Sequence, residues 1–315
     1  MTQHQINTAL TSTIEFSDEK RMYDESCKRI LSQKEILAPI MKECVWEYKD
    51  IDIKEIAEKY IEGTPVIGSL QVFGGEKIRG LPTEAINENE GKVFYDIRYK
   101  TLVPNGDDFI ELIINLEAQN KYHTGYSLVK RGEFYSCQRI SSQYGTEFDA
   151  MDYDKIKKVY SIWICRNVPK YLENTITRYD MSETNLVGNV KEQKENYDIM
   201  SVVMIYLGSV KEEQSSNLLN LLNNVLSEEI SAQEKLKILE EQHGIKRTKT
   251  IESEVQHMCN LSNGIEEKGI QKGREREKVE VAKKLIARNV SVEDITDLTG
   301  LPVEVIRNLT LNNEN

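Results

Sequence analysis

The chain has 315 residues and no apolar run approaching the roughly 18–20 that cross a bilayer, so no membrane-embedded part is expected. Residues 1–21 have neither a basic opening nor an apolar segment and do not read as a signal peptide. Cysteine is sparse. The five residues, at 27, 44, 137, 165 and 259, are scattered and odd in number, the usage of thiols in a reducing compartment. Four histidines (4, 123, 243 and 257) do not meet them at zinc spacing; only His257 and Cys259 lie close, and two ligands do not make a tetrahedral site. With 6 Pro and 17 Gly the chain is not collagen-like, and 39% hydrophobic residues are too many for wholesale disorder. Positive charge is in deficit: 41 Lys+Arg against 52 Asp+Glu leave a formal charge of −11. Coating nucleic acid by bulk charge is thereby excluded, and any phosphate contact must come from local basic faces. The Gly-rich piece 68–80 lacks both nucleotide-cradling glycine spacings and reads as a loop, and no G-x-S-x-G serine motif occurs. A cytoplasmic protein with room for one large domain or two ordinary ones is expected.

Periodicity divides the chain. Residues 20–31 and 34–46 carry apolar side chains at helical spacing, with Ser32 a candidate N-cap between them, and a third helix is expected over 53–61. Segments 83–87, 92–103 and 108–119 are rich in Val, Ile, Phe and Tyr and read as strands. Asn105-Gly106 between the last two tolerates the positive φ of a tight hairpin turn. A helix over 122–139 follows, then a buried strand over 157–165 and weaker strands over 175–179 and 200–206. Cys137 and Cys165 read as packed thiols in the helix and the strand. The remainder reads as helical, with Ser231 and Glu234 in a capping-box pattern and Gly244 past the helix end.

From Gly264 the composition shifts: residues 264–288 hold eight Lys/Arg against five Glu. Glycines at 264, 269 and 273 argue against a rigid helix before Arg274. That basic stretch reads either as a phosphate-binding face or as a solvated spacer. Residues 291–309, with Ser291 as a cap, Gly300 as a turn and Pro302 opening another helix, have a helix-turn-helix outline. Glu293, Asp294, Asp297 and Glu304 make it acidic, which favours packing or self-association over base readout. The expected organisation is an arm (1–19), a mixed α/β domain (20–210), a helical region (211–263) and a charged spacer with helical tail (264–315).

The hairpin bears on chemistry. Strands alternate faces, so Asp96, Arg98 and Lys100 share one side of the first strand, and Glu111, Asn115 and Glu117 share one side of the second. A turn centred on Asn105-Gly106 makes opposite residues sum to 211, setting Asp96 against Asn115 and Phe94 against Glu117. Asp96 and Glu117 then lie diagonally on one face, with Cα atoms roughly 7–8 Å apart. Two carboxylates so spaced suit one hard divalent cation such as Mg²⁺. The plainer reading is that both simply face solvent.

These residues resemble the PD-(D/E)XK nuclease family transposases, the group that includes the recombination-promoting nucleases. The resemblance rests on Asp96, the hairpin, Glu117-Ala118-Gln119 and the helix after it, in that order. Asp24-Glu25-Ser26-Cys27-Lys28 is similar to the family's early D-x-x-F-K helix, with Cys27 where Phe is usual, and residues 129–135 resemble its R-x-x-Y-Y segment. The charged tail from 264 is loosely similar as well. Tyr95 replaces the proline of the motif name, and Gln119 stands where the broader superfamily has Lys. The resemblance implies a restriction-endonuclease-like mixed sheet flanked by helices, followed by a helical C-terminal region. It implies a DNA endonuclease that uses Mg²⁺, with Mn²⁺ able to substitute, and that promotes recombination. Asp96 and Glu117 would hold the metal and Gln119 would position the attacking water. Lys130 and Arg131 are candidate phosphate ligands, Asp24 and Glu25 candidate additional acids, and the C-terminal helices a candidate route to homo-oligomers. The rival expectation is a catalytically inactive, DNA-associated or oligomeric binding protein on the same fold.

Overall fold

Residues Val159–Cys165, VYSIWIC, form a strand with every side chain buried, as an unbroken β-branched and aromatic run predicts for the middle of a sheet covered on both faces. The computed structural model describes residues 22–61, 66–67, 84–87, 91–94, 97–102, 109–117, 125–210 and 216–311. The chain divides into two compact units, Glu25–Gln256 and Met1–Asp24 with His257–Asn315. It is a mixed α/β protein with a helical C-terminal region. No described helix is long and apolar enough to cross a membrane.

In the first unit the strands are β1 (Val66–Ile67), β2 (Glu84–Asn87), β3 (Gly91–Phe94), β4 (Ile97–Leu102), β5 (Phe109–Glu117), β6 (Val159–Cys165), β7 (Thr175–Asp180) and β8 (Met200–Tyr206). The helices are α1 (22–31), α2 (Lys34–Cys44), α3 (Ile53–Glu55), α4 (Leu128–Ser141), α5 (Asn217–Leu226) and α6 (Ala232–Glu241). The main sheet has the order β1-β4-β5-β6-β8-β7. Its middle, β5-β6-β8, is parallel, while β1 against β4, β4 against β5 and β7 against β8 are antiparallel. The expected hairpin register holds where described: Ile97 faces Ile114, Tyr99 faces Leu112 and Leu102 faces Phe109, each pair summing to 211.

Several local expectations need correction. Residues 92–103 are two strands, because β3 pairs with β2 in a separate ladder where Phe94 faces Glu84 rather than Glu117. The cap between α1 and α2 is Gln33 and not Ser32, whose hydroxyl donates back to the Arg29 carbonyl instead. The third helix is one turn, α3, that widens into a π-helical turn over Ile56–Tyr60. Helix α4 begins at Leu128, not 122: Gly125 takes a φ of +80° and Ser127 supplies the cap. Cys137 is exposed, whereas Cys165 is buried as expected. The Gly-rich segment 68–80 lies outside the described residues.

Both faces of the sheet are covered. On one, α4 packs through Leu128 and Tyr135 against Val159, Trp163, Cys165, Val202, Met204 and Tyr206. Gly132 sets the approach: a Cβ there would lie 2.7 Å from Val202 Cγ1 and 2.9 Å from Trp163 Nε1. The other face carries a polar seam, in which Tyr48 and Thr101 share a 2.7 Å hydrogen bond and Thr101 donates to the Tyr60 carbonyl at 2.7 Å. At the amino ends of β6 and β8, Lys158 Nζ reaches Asp198 at 2.6 Å and Glu47 at 3.7 Å, and Glu47 accepts from Tyr160 at 2.6 Å.

Helix α7 (Lys249–Ile286), whose first residues belong to the first unit and the rest to the second, is one continuous helix of 38 residues, against the expectation of a break at its glycines. Those at 264, 269 and 273 meet nothing within 4 Å, and the Glu, Gln, Lys and Arg around them are good helix formers. Helices α8 (Val292–Thr299) and α9 (Val303–Leu311) close a small core on Ala282, Ile295 and Ile306. The Ser291 cap and the left-handed Gly300, φ +66°, are as the sequence predicts.

Replacing Gly132 with Ala forces α4 off Trp163 and lowers stability by about 1–3 kcal/mol, measurable by denaturant unfolding with tryptophan fluorescence. A second expectation concerns pH. His243 is half-buried, its Nε2 has no described partner, and burial lowers its pKa below the usual 6.5. The neutral form therefore favours the folded state, and this contribution is complete above the unfolded value of about 6.5. It is lost progressively as pH falls below that value, so His243→Gln should flatten the decline of Tm between pH 7 and 5.

Candidate active site

In an open α/β sheet, ligands collect beyond the carboxyl ends of the parallel strands. Here those ends are Glu117 on β5, Cys165 on β6 and Tyr206 on β8, which stand level in the ladder. Glu117 is the final residue of β5. Asp96 and Gln119, the other two expected catalytic residues, lie outside the described residues; Asp96 directly precedes Ile97, whose ladder partner is Ile114. Asp24 and Glu25 lie half-buried on α1, Asp24 in the unit of the C-terminal helices and Glu25 in that of the sheet.

The first turn of α4 contributes Leu128 to the buried layer that includes Cys165, Val168 and Tyr206. The Ser127 hydroxyl caps it by accepting from the Lys130 amide at 3.4 Å. Lys130 is exposed. Arg131, half-buried, is held among aromatics: Nε and Nη2 donate to the Tyr135 hydroxyl at 3.1 and 2.9 Å, and Nη1 donates to that of Tyr126 at 3.1 Å. Its guanidinium lies 5.2 Å from the Tyr135 ring centre and 5.3 Å from that of Trp163, within cation–π range. The Trp163 indole is in turn fixed by donating to Ser161 at 2.9 Å. An arginine oriented in this way is a preorganised positive group beside a helix amino end, the arrangement that binds an anionic oxygen.

Beyond β8 the backbone is locked by amides that the sequence reading did not single out. The Gly208 amide donates to Asn223 Oδ1 at 3.0 Å, and Asn223 Nδ2 donates to Asn174 Oδ1 at 3.1 Å. Lys235, only 2% exposed, donates to the carbonyls of Val225 and Ser227 at the end of α5. Its signal was available: Lys235 shares the apolar stripe of Ala232, Leu236 and Leu239, where a charge needs a buried acceptor.

Among the described residues, no group of three or more His, Cys, Asp or Glu side chains is arranged to hold a metal ion. The side chains of Asp96 and Glu117 fall outside that statement. No protein-family model matches the chain, and neither does any curated protein or solved structure.

Arg131→Lys keeps the charge but loses the planar fork shared by two tyrosines. It should shift the fluorescence of Trp163 and cost about 1–2 kcal/mol in denaturant unfolding. Lys130→Ala, at an exposed position, should leave stability within about 0.5 kcal/mol.

Proposed function

We propose that the chain is a Mg²⁺-dependent DNA endonuclease of the transposase-associated PD-(D/E)XK type, acting in DNA recombination. The observation that supports this most is the β4–β5 ladder. Its register begins at Ile97, the residue after Asp96, and its second strand runs to Glu117, level with the carboxyl end of the parallel strand β6. The order of elements also supports a restriction-endonuclease-like sheet: β1, β4 and β5 form an antiparallel set, and α4 leads to the parallel strand β6.

Asp96 and Glu117 are hard oxygen donors of the kind Mg²⁺ takes. Bound there, the ion would lower the pKa of a coordinated water and neutralise charge on a scissile phosphate. Gln119 would orient the attacking water by hydrogen bonding, since its amide carries no charge. The missing lysine charge would come from α4, with Arg131 held by its tyrosines and Lys130 free to move toward the phosphate. Water oxygen bonds to phosphorus as the P–O3′ bond breaks in line, and the leaving oxygen takes up a proton.

Supercoiled-plasmid nicking tests this reading, with Mg²⁺, Mn²⁺ or EDTA and with Asp96→Ala and Glu117→Ala alongside. The expected result is nicking that EDTA abolishes and each substitution lowers by roughly 100-fold or more. No nicking by the wild type, or equal nicking by the variants, overturns it and favours a binding protein on the same fold.

A further inference from the structure

Among the described residues, β7 is an edge strand of the main sheet. Strand β7 pairs with β8 on one side, and no described strand pairs with it on the other. Its sequence, TITRYD, has β-branched residues at three of six positions and no Pro, Gly or Lys, so the usual blunting devices are few. At the opposite edge, β1 has two described residues, Val66–Ile67. Along β7, Thr175, Thr177, Tyr179 and Asp180 are exposed, and Arg178 Nε bonds Asp180 Oδ2 at 2.8 Å.

Past Asp180 the chain enters an exposed apolar loop. Met181 is 43% exposed, Val190 72%, Leu186 90% and Val187 93%. The loop has a defined form: the Val190 amide donates to Asn185 Oδ1 at 2.9 Å, and Gly188 takes a φ of +80°. An edge that no described strand covers thus runs directly into exposed apolar side chains, a combination that marks an association surface.

We propose that this surface binds a second copy of the chain, with β7 pairing antiparallel to its counterpart about a twofold axis through Tyr179. Charge selects both the occupant and the register. With Tyr179 opposite itself, Arg178 of each copy faces Asp180 of the other, giving two opposite-charge cross-strand pairs. A slip of two residues either way sets Arg178 against Arg178 or Asp180 against Asp180, which is unfavourable. The same side chains thus match a copy in one register and oppose it in the neighbouring ones. A strand edge alone buries less than the roughly 800 Å² per partner of a standard interface. The apolar loop at its end supplies further surface, and the contact is isologous, closing at two copies.

The test uses the full-length protein with Cys137→Ser, which removes the one exposed thiol. Sedimentation velocity should show a dimer for the wild type. Arg178→Asp and Asp180→Arg should each weaken association by roughly tenfold or more. An equimolar mixture of the two variants should recover it as a heterodimer, which misfolded chains could not do. Tyr179→Cys should cross-link to itself on mild oxidation, since facing Cα atoms in an antiparallel pair lie within disulfide reach, whereas Thr175→Cys should not. A wild type that stays monomeric at about 100 μM, a dimer indifferent to both charge reversals, or cross-linking at Thr175→Cys as ready as at Tyr179→Cys overturns the inference; the second outcome points to the C-terminal helices instead. Nuclease activity enters none of these readouts.

Discussion

Helix α4 can lie on the sheet only because position 132 has no side chain. Strands β5 and β6 are parallel, so the chain between them must return along the sheet, and it does so through α4. A Cβ at Gly132 would press into Val202 and Trp163. That close approach lets Leu128 and Tyr135 reach the inner layer and brings Arg131 over the Trp163 ring. The positive end of the candidate site is therefore a product of a packing constraint, with no separate device needed to aim the guanidinium.

The parallel strands carry buried polar groups at both ends, each with its own solution. At the amino ends, Asp198 is 4% exposed and holds Lys158 and Lys194 on one carboxylate oxygen. Tyr160 gives its proton to Glu47 in a hydrogen bond, and burial together with that carboxylate pushes the phenol far above its ordinary pKa. At the carboxyl ends Asn223 donates to Asn174, Lys235 donates to carbonyls at the end of α5, and Arg166, just past β6, pairs with Glu228. The two ends thus differ in kind: two lysines meet on one buried carboxylate at the amino ends, while side-chain amides and backbone carbonyls tie the segments beyond the carboxyl ends.

Much of this was legible. The β4–β5 register followed from the Asn105-Gly106 turn, because a strand repeats every two residues and one turn length sets every pair. Strand β8 and the Ser231 and Ser291 caps followed from β-branched runs and side-chain oxygens before apolar stripes. What did not follow was decided by tertiary context. Residues 92–103 look like one strand, yet β3 finds its partner in β2, and pairing choice leaves no mark on periodicity. The three glycines of α7 weigh against a helix by propensity, but the long helical flanks on either side, Lys249 to Asn263 and Arg274 to Ile286, carry the backbone through. At the candidate site, pattern and order led to Glu117 on β5 and to Lys130 and Arg131 on α4, and those residues lie on those elements. The tyrosines around Arg131 were not, since nothing in the sequence says which hydroxyls a guanidinium will meet.

The exposed stretch of α7 has a mechanical consequence. Every described side chain from 269 to 278 faces solvent, so burial does little to hold this part of the helix. Glycines at 264, 269 and 273 each weaken it by about 1 kcal/mol relative to alanine. Helical order there breaks without exposing any apolar core, so it breaks more readily than the sheet or the small core on Ala282. When it does, the bonds after Arg274, Arg276 and Lys278 become accessible to a trypsin-like protease. The fuse of the molecule is therefore a helix rather than a loop, cut between the sheet-bearing unit and the small core on Ala282, Ile295 and Ile306.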